Sequence, residues 1–185
     1  MAADLPASAN APAATPTSSH LLTVSERAAR VRCLVLDIDG VMTDCKLYLG
    51  PDGTEWKAVN VRDGLGIKLL LEAGIEVAVI SGRPSTAMEK RLAFLGVRHV
   101  WLDARNKEPA FAELQRRLGL RDDECAAMGD DIPDLPLLRR VGLAMTVADA
   151  HPSALAAAHW TSRHRGGDGA IREAADLLLA TRHAP

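Results

Sequence analysis

Val31-Arg32-Cys33-Leu34-Val35-Leu36-Asp37-Ile38-Asp39-Gly40-Val41 is a compact apolar run that ends abruptly in two carboxylates and a glycine. Such a run reads as a strand buried on both faces of a parallel sheet, with polar residues at its carboxyl end. Others of the same kind follow. Residues 75–80 end at Ser81-Gly82-Arg83-Pro84, residues 97–101 lead into a polar loop, residues 125–128 end at Gly129-Asp130-Asp131, and residues 143–147 run on to Asp149. The segments between them carry helical periodicity. Leu65, Leu69, Leu70 and Leu71 with Ile75 form one apolar face, Met88, Leu92 and Leu95 a second, and Phe111, Leu114 and Leu118 a third, which Gly119 stops. A short helix from Ser25 to Arg30 precedes the first strand. Strands alternating with helices of about 10 to 15 residues are βαβ units, so the pattern predicts an α/β fold, a Rossmann-like three-layer sandwich around a mainly parallel sheet. Ligands bind such sheets beyond the carboxyl ends of the strands, which is where these polar clusters fall.

One stretch breaks the alternation. Pro51-Asp52-Gly53, between Lys46-Leu47-Tyr48-Leu49 and Glu55-Trp56-Lys57-Ala58-Val59, reads as a β-hairpin projecting from the sheet. A lone hairpin carrying Leu47, Tyr48, Leu49 and Trp56 is marginal in water. It either folds back on its own sheet or packs on another chain.

Composition excludes several classes. A net charge of -2 and 3% aromatic residues leave neither the basic excess nor the stacking surface that a nucleic-acid partner needs. No apolar run approaches the roughly 18 to 20 residues of a membrane span. Cys33, Cys45 and Cys125 are odd in number and lack CxxC spacing, which fits reduced cysteines in a cytoplasmic protein. The Ala/Pro/Ser/Thr-rich start lacks the pattern of a secretory signal and predicts a disordered leader over residues 1–24, followed by a single domain over residues 25–182.

In an extended backbone, residues two apart point the same way, so Asp37 and Asp39 face one site while Ile38 enters the core. Two carboxylates there repel unless they share a proton or a cation, and a hard divalent ion such as Mg²⁺ suits oxygen ligands beside phosphate. Gly40 lets the backbone turn and leaves amides free for phosphate oxygens.

Asp37-Ile38-Asp39-Gly40-Val41 resembles the first motif of the haloacid dehalogenase (HAD) superfamily. Ser81, Lys107 in Asn106-Lys107-Glu108, and Gly129-Asp130-Asp131-Ile132-Pro133-Asp134 match that family's later motifs in order. The resemblance implies a phosphoryl-transfer site. Asp37 is then the nucleophile that forms an acyl phosphate, and Asp39 the acid that protonates the leaving alkoxide and later the base that activates water. The metal ligands are the Asp37 carboxylate, the Asp39 backbone carbonyl, the Asp130 carboxylate and waters. Ser81 and Lys107 stabilise the phosphoryl oxygens, with Gly40 and Gly82 beside them. Asp131 either holds Lys107 or holds a metal-bound water, and Asp134 either joins the site or caps the next helix.

The interval from Asp44 to Ser81 leaves no room for a cap domain. It contains Asn60-Val61-Arg62-Asp63-Gly64-Leu65-Gly66-Ile67, which resembles the capless 3-deoxy-D-manno-octulosonate 8-phosphate (KDO 8-P) phosphatases. Val41-Met42-Thr43-Asp44, Ile80-Ser81-Gly82-Arg83 and Gly166-Gly167-Asp168-Gly169-Ala170-Ile171-Arg172-Glu173 resemble that family as well. The implied reaction releases KDO and phosphate for lipopolysaccharide synthesis. The same chemistry on another sugar-acid phosphate, such as a nonulosonate 9-phosphate, is the alternative. A non-catalytic assembly module would lack Asp37, Asp39 or Lys107. The resemblance also implies a homotetramer whose hairpins, residues 44–59, form a central barrel, with neighbours helping to close each site.

Arg62 and Arg83 are candidate anion binders, although Arg62 could instead pair with Asp63 or a neighbouring carboxylate. Arg172 either reaches an adjacent site or starts a helix, and the Gly166-Gly167 loop reads as a mobile tail. The six histidines show no metal-ligand spacing and read as surface or turn residues. Cys45 stands where the family usually has glycine and Val59 where it has an aromatic residue, both expected to lie away from the chemistry.

Overall fold

A computed structural model of the chain describes residues 22–182, so most of the expected leader lies outside the described residues. The fold starts ahead of Ser25. Thr23 caps α1 (Val24–Ala28), its hydroxyl accepting from the Glu26 amide while the Glu26 carboxylate accepts from the Thr23 amide.

Among the described residues, six strands form one parallel sheet. They are β1 (Cys33–Leu36), β4 (Glu76–Ile80), β5 (His99–Trp101), β6 (Cys125–Met128), β7 (Leu143–Thr146) and β8 (Trp160–Thr161), in the order β5-β4-β1-β6-β7-β8. The remaining strands, β2 (Tyr48–Leu49) and β3 (Glu55–Trp56), make a separate antiparallel hairpin. From β1 the chain builds outward through α2 (Val61–Glu72) and α3 (Thr86–Leu95) to β5. It then returns through α4 (Lys107–Leu118) to the opposite side of β1. Right-handed crossovers in the two directions put helices on both faces. The reversal makes the carboxyl end of β1 the switch point, where a crevice opens.

β1 is apolar throughout because both its faces are covered, and Leu34, Leu36 and the following Ile38 are fully buried. Each such side chain contributes about 1.5–3 kcal/mol relative to exposure. Register does the rest. Leu36 pairs with Val79 on one side and Met128 on the other, so β1, β4 and β6 end nearly level, and Asp37, Ser81 and Gly129-Asp130 emerge side by side.

The expected apolar face of α2 is corrected. Leu65 is exposed and Leu69 half-buried, whereas Gly64, Gly66, Ile67 and Leu70 face inward. The reason is α7 (Ala170–Ala180), which lies close against α2. A Cβ at Gly66 would sit 3.1 Å from the Arg172 Cα and 3.2 Å from the Ala175 Cβ. Buried Asp63 joins the two helices, accepting from the amides of Gly169 (3.2 Å) and Arg172 (2.8 Å) at the start of α7. A carboxylate is well placed at a helix N-terminus, where amides lack intrahelical partners.

The Gly166-Gly167 loop is not a mobile tail. Gly167 donates to the Val41 carbonyl (3.0 Å), and Gly166 donates to Asp149 (3.1 Å). Gly166 also lies so close to the Gly40 carbonyl that a side chain there would overlap backbone. The Gly166→Ala variant is expected to lose about 1–3 kcal/mol through this overlap. Thermal unfolding should show a Tm lower by roughly 2–4 °C per kcal/mol. An unchanged Tm would mean that the two loops are not in contact.

Candidate active site

Asp37 leaves the end of β1 with its amide donating to the Met128 carbonyl (3.1 Å), so its carboxylate opens into the crevice. Lys107, the first residue of α4 and only 3% exposed, places its ammonium between two carboxylates: Nζ lies 2.5 Å from Asp37 Oδ1 and 2.5 Å from Asp134 Oδ1. Asp134 sits in the short turn of helix after β6, and its second oxygen accepts from the amides of Asp130 (2.9 Å) and Asp131 (3.2 Å). The two open acidic positions therefore resolve opposite to one reading of them. Asp131 is exposed and caps the turn, accepting from the Ile132 amide, while Asp134 is the buried partner of Lys107. Asp134 makes no side-chain cap to the next helix, α5 (Leu135–Leu138).

Oxygens of Asp37, Asp130 and Asp134 lie within 4.8 Å of one another. Burial pushes Asp130 up to about 8, helped by the carboxylates of Asp134, Asp37 and Asp131 and opposed by Lys107. Burial likewise raises Asp37 to about 6 against the pull of Lys107. Burial works to lower the Lys107 ammonium, but Asp37 and Asp134 more than offset it and hold its pKa above the usual lysine value. Crowded, buried carboxylates around one ammonium form a donor set suited to a hard divalent cation. Asp134 has both oxygens engaged, so Asp37 and Asp130 are the carboxylates with capacity for the ion. Gly40, at φ +97°, makes room for this arrangement, because a side chain there would strike the Asp130 carboxylate. Its amide faces Thr43 Oγ1 at 3.4 Å.

The cleft is about 260 Å³ and open on one side. Asp37, Asp39, Ser81, Gly82, Arg83, Lys107, Asp130, Asp131 and Asp134 all line it. Arg62 does not. Its side chain is exposed at the start of α2, and the pairing with Asp63 is not formed, since Asp63 serves α7. Arg172 sits in the first turn of α7 and pairs with Asp176 (2.9 Å). Cys45 proves to be in the cleft rather than away from the chemistry. Its φ of +62° is a conformation that favours glycine. Burial and the carboxylates of Asp130, Asp39 and Asp37 push its thiol pKa up.

Sequence reasoning missed Lys57. Its Nζ lies 2.7 and 3.0 Å from the two Asp39 oxygens, and its side chain is 3% exposed. Strand alternation was the available signal. Glu55 and Lys57, two apart, point back to the body, while Trp56 between them points out and is 67% exposed.

The chain is similar to known proteins in sequence and in fold. A family model described as haloacid dehalogenase-like hydrolase matches residues 103–173, the part that carries Lys107 and the Asp130 cluster. The 3-deoxy-D-manno-octulosonate 8-phosphate phosphatase KdsC of Salmonella typhi is 44% identical over 164 residues, which span 89% of this chain and 86% of the relative. A crystal structure of the same-named phosphatase from Yersinia pestis superposes with a TM-score of 0.85 at 44% identity, covering 86% of each chain. The Moraxella catarrhalis enzyme, crystallised with a magnesium ion, a phosphate ion and a KDO molecule, gives a TM-score of 0.84 at 33% identity, covering 85% of this chain and 91% of that one. With that identity over most of its length and a shared fold, the chain belongs to the haloacid dehalogenase-like hydrolases and, within them, to the KdsC family.

Proposed function

We propose that the chain is a Mg²⁺-dependent phosphomonoesterase that converts KDO 8-P to KDO and phosphate, acting as a single capless domain that takes in α1 and its cap at Thr23. The observation that carries this reading is Asp37 facing an open cleft with Lys107 on one side and the Asp130 carboxylate on the other. The relatives named for this reaction, one of them crystallised with magnesium, phosphate and KDO, supply the substrate.

An Asp37 oxygen attacks phosphorus, forming an acyl phosphate as the bond to the sugar oxygen breaks. Asp39 gives its proton to that oxygen, then takes one from the water that cleaves the acyl phosphate. Ser81, buried at the end of β4, donates to a phosphoryl oxygen, and Lys107 offsets charge growing on those oxygens. Asp37 and Asp130 carboxylates with the Asp39 carbonyl would hold Mg²⁺, which adds positive charge beside the phosphoryl group. Arg83, half of its side chain exposed at the mouth, is placed for the sugar carboxylate.

The hairpin, residues 44–59, is the proposed tetramer interface. Tyr48, Leu49 and Trp56 are 52%, 73% and 67% exposed, an apolar surface that two two-residue strands cannot cover alone. Among the described residues no helix is long and apolar enough to cross a membrane, and the proposed location is the cytoplasm.

Steady-state release of phosphate from KDO 8-P with Mg²⁺ tests the reaction. Faster turnover of a nonulosonate 9-phosphate would transfer the substrate to that sugar acid. The Asp37→Asn variant should be inactive, and full turnover by it would remove the nucleophile. Asp39→Asn should fold normally and lose about 10²–10⁴-fold in kcat. Adding Mg²⁺ should raise Tm more at about pH 8.5 than at about pH 6, because below the raised pKa of Asp130 the cation must displace a proton, and above it need not. An equal shift at both values would contradict that ligand. Sedimentation of Leu49→Lys/Trp56→Lys should show species smaller than the wild-type tetramer.

A further inference from the structure

The side chain of Lys57 is unusual among lysines in having almost no solvent contact, yet it does not line the cleft. Its ammonium donates to both Asp39 oxygens and stands 3.7 Å from Glu55 Oε1. Glu55 in turn holds Arg83 (3.0 Å), and the Arg83 Nε lies 3.8 Å from Asp39 Oδ2. Asp39, Lys57, Glu55 and Arg83 thus form a closed ring of alternating charge, half of it from the hairpin and half from the strand ends β1 and β4.

We propose that Lys57 is a positioning residue for Asp39, and that through it the hairpin sets where the acid/base carboxylate points. This rests on the phosphatase reading above. Lys57 touches Asp39 and not the cleft, so it acts through that carboxylate rather than on substrate. Both Asp39 oxygens are held, which fixes the carboxylate in rotation as well as in place. A hairpin of two two-residue strands has little rigidity of its own. Neighbouring chains packed on its apolar outer face would therefore be felt at Asp39.

The reaction offers a readout that a merely structural lysine would not move. In the first half-reaction the bond from phosphorus to the ester oxygen breaks, its electron pair stays on that oxygen, and an alkoxide needs the Asp39 proton. A p-nitrophenolate leaves without one. Because kcat/KM reports only this half-reaction, it can be compared between KDO 8-P and p-nitrophenyl phosphate for wild type, Lys57→Met and Lys57→Arg, with assembly checked by sedimentation. Lys57→Met is expected to lose about 10²-fold on KDO 8-P, the scale of a small misplacement of a catalytic group, and to stay near wild type on p-nitrophenyl phosphate. Lys57→Arg, which keeps the charge, should recover most of the loss on KDO 8-P. Equal losses on both esters, or no loss on either, would overturn the proposal. Should Lys57→Met not fold, Lys57→Gln takes its place in the same comparison, with the same selective loss on KDO 8-P expected and the same equal losses overturning the proposal. Wild type failing on both esters would instead sink the phosphatase reading itself.

Discussion

Three carboxylates gathered around one buried ammonium are the constraint on which this structure turns. The parallel register of β1 with β4 and β6 brings strand ends level, and two of those ends carry acids. Lys107 cannot balance Asp37, Asp130 and Asp134 together, so burial and mutual repulsion push the first two up in pKa. The surrounding chain is arranged to tolerate this. Asp134 recruits two backbone amides, and Gly40 gives up a side chain so that Asp130 fits. A low-dielectric pocket short of positive charge is poorly stable when empty and strongly attractive to a cation. The same imbalance that strains the fold thus provides the binding energy of the site.

Asp39, two residues from Asp37, escapes that crowd. Asp37 faces Lys107 and two other acids, whereas Asp39 faces Lys57 and Arg83 at the cleft mouth. Two like residues given different surroundings are suited to different tasks. The division follows from strand geometry: the body of the sheet supplies partners to one carboxylate and the hairpin to the other.

Much of this was legible in the sequence. β1, β4, β6 and β7 are apolar runs long enough to be seen, and the polar residues after them mark the crevice. β8 was missed because two paired residues, Trp160 and Thr161, carry no periodicity. The α2 face was misread because large apolar residues were counted, while the close approach of α7 is made by Gly66. Spacing could not say which of Asp131 and Asp134 turns inward, since that depends on Asp131 being the extended cap residue of the short turn and Asp134 its last residue. Lys57 was hidden by distance, as its partner lies 18 residues earlier across a turn.

The clasp between Gly166-Gly167 and the loop after β1 has a consequence for how the protein is made. β1 also waits for β6, whose first residue pairs with Cys33 from 92 positions further along. Until the ribosome has released the glycine loop and the start of α7, Val41 lacks its partner amide and Asp63 has none of its own. Residues at the two ends of the fold therefore finish the loop that bears Asp37 only several seconds after that loop emerges. The loop that follows Asp37 thus takes its last backbone hydrogen bond from the far end of the chain, which ties the completion of the crevice's rim to the arrival of the final helix.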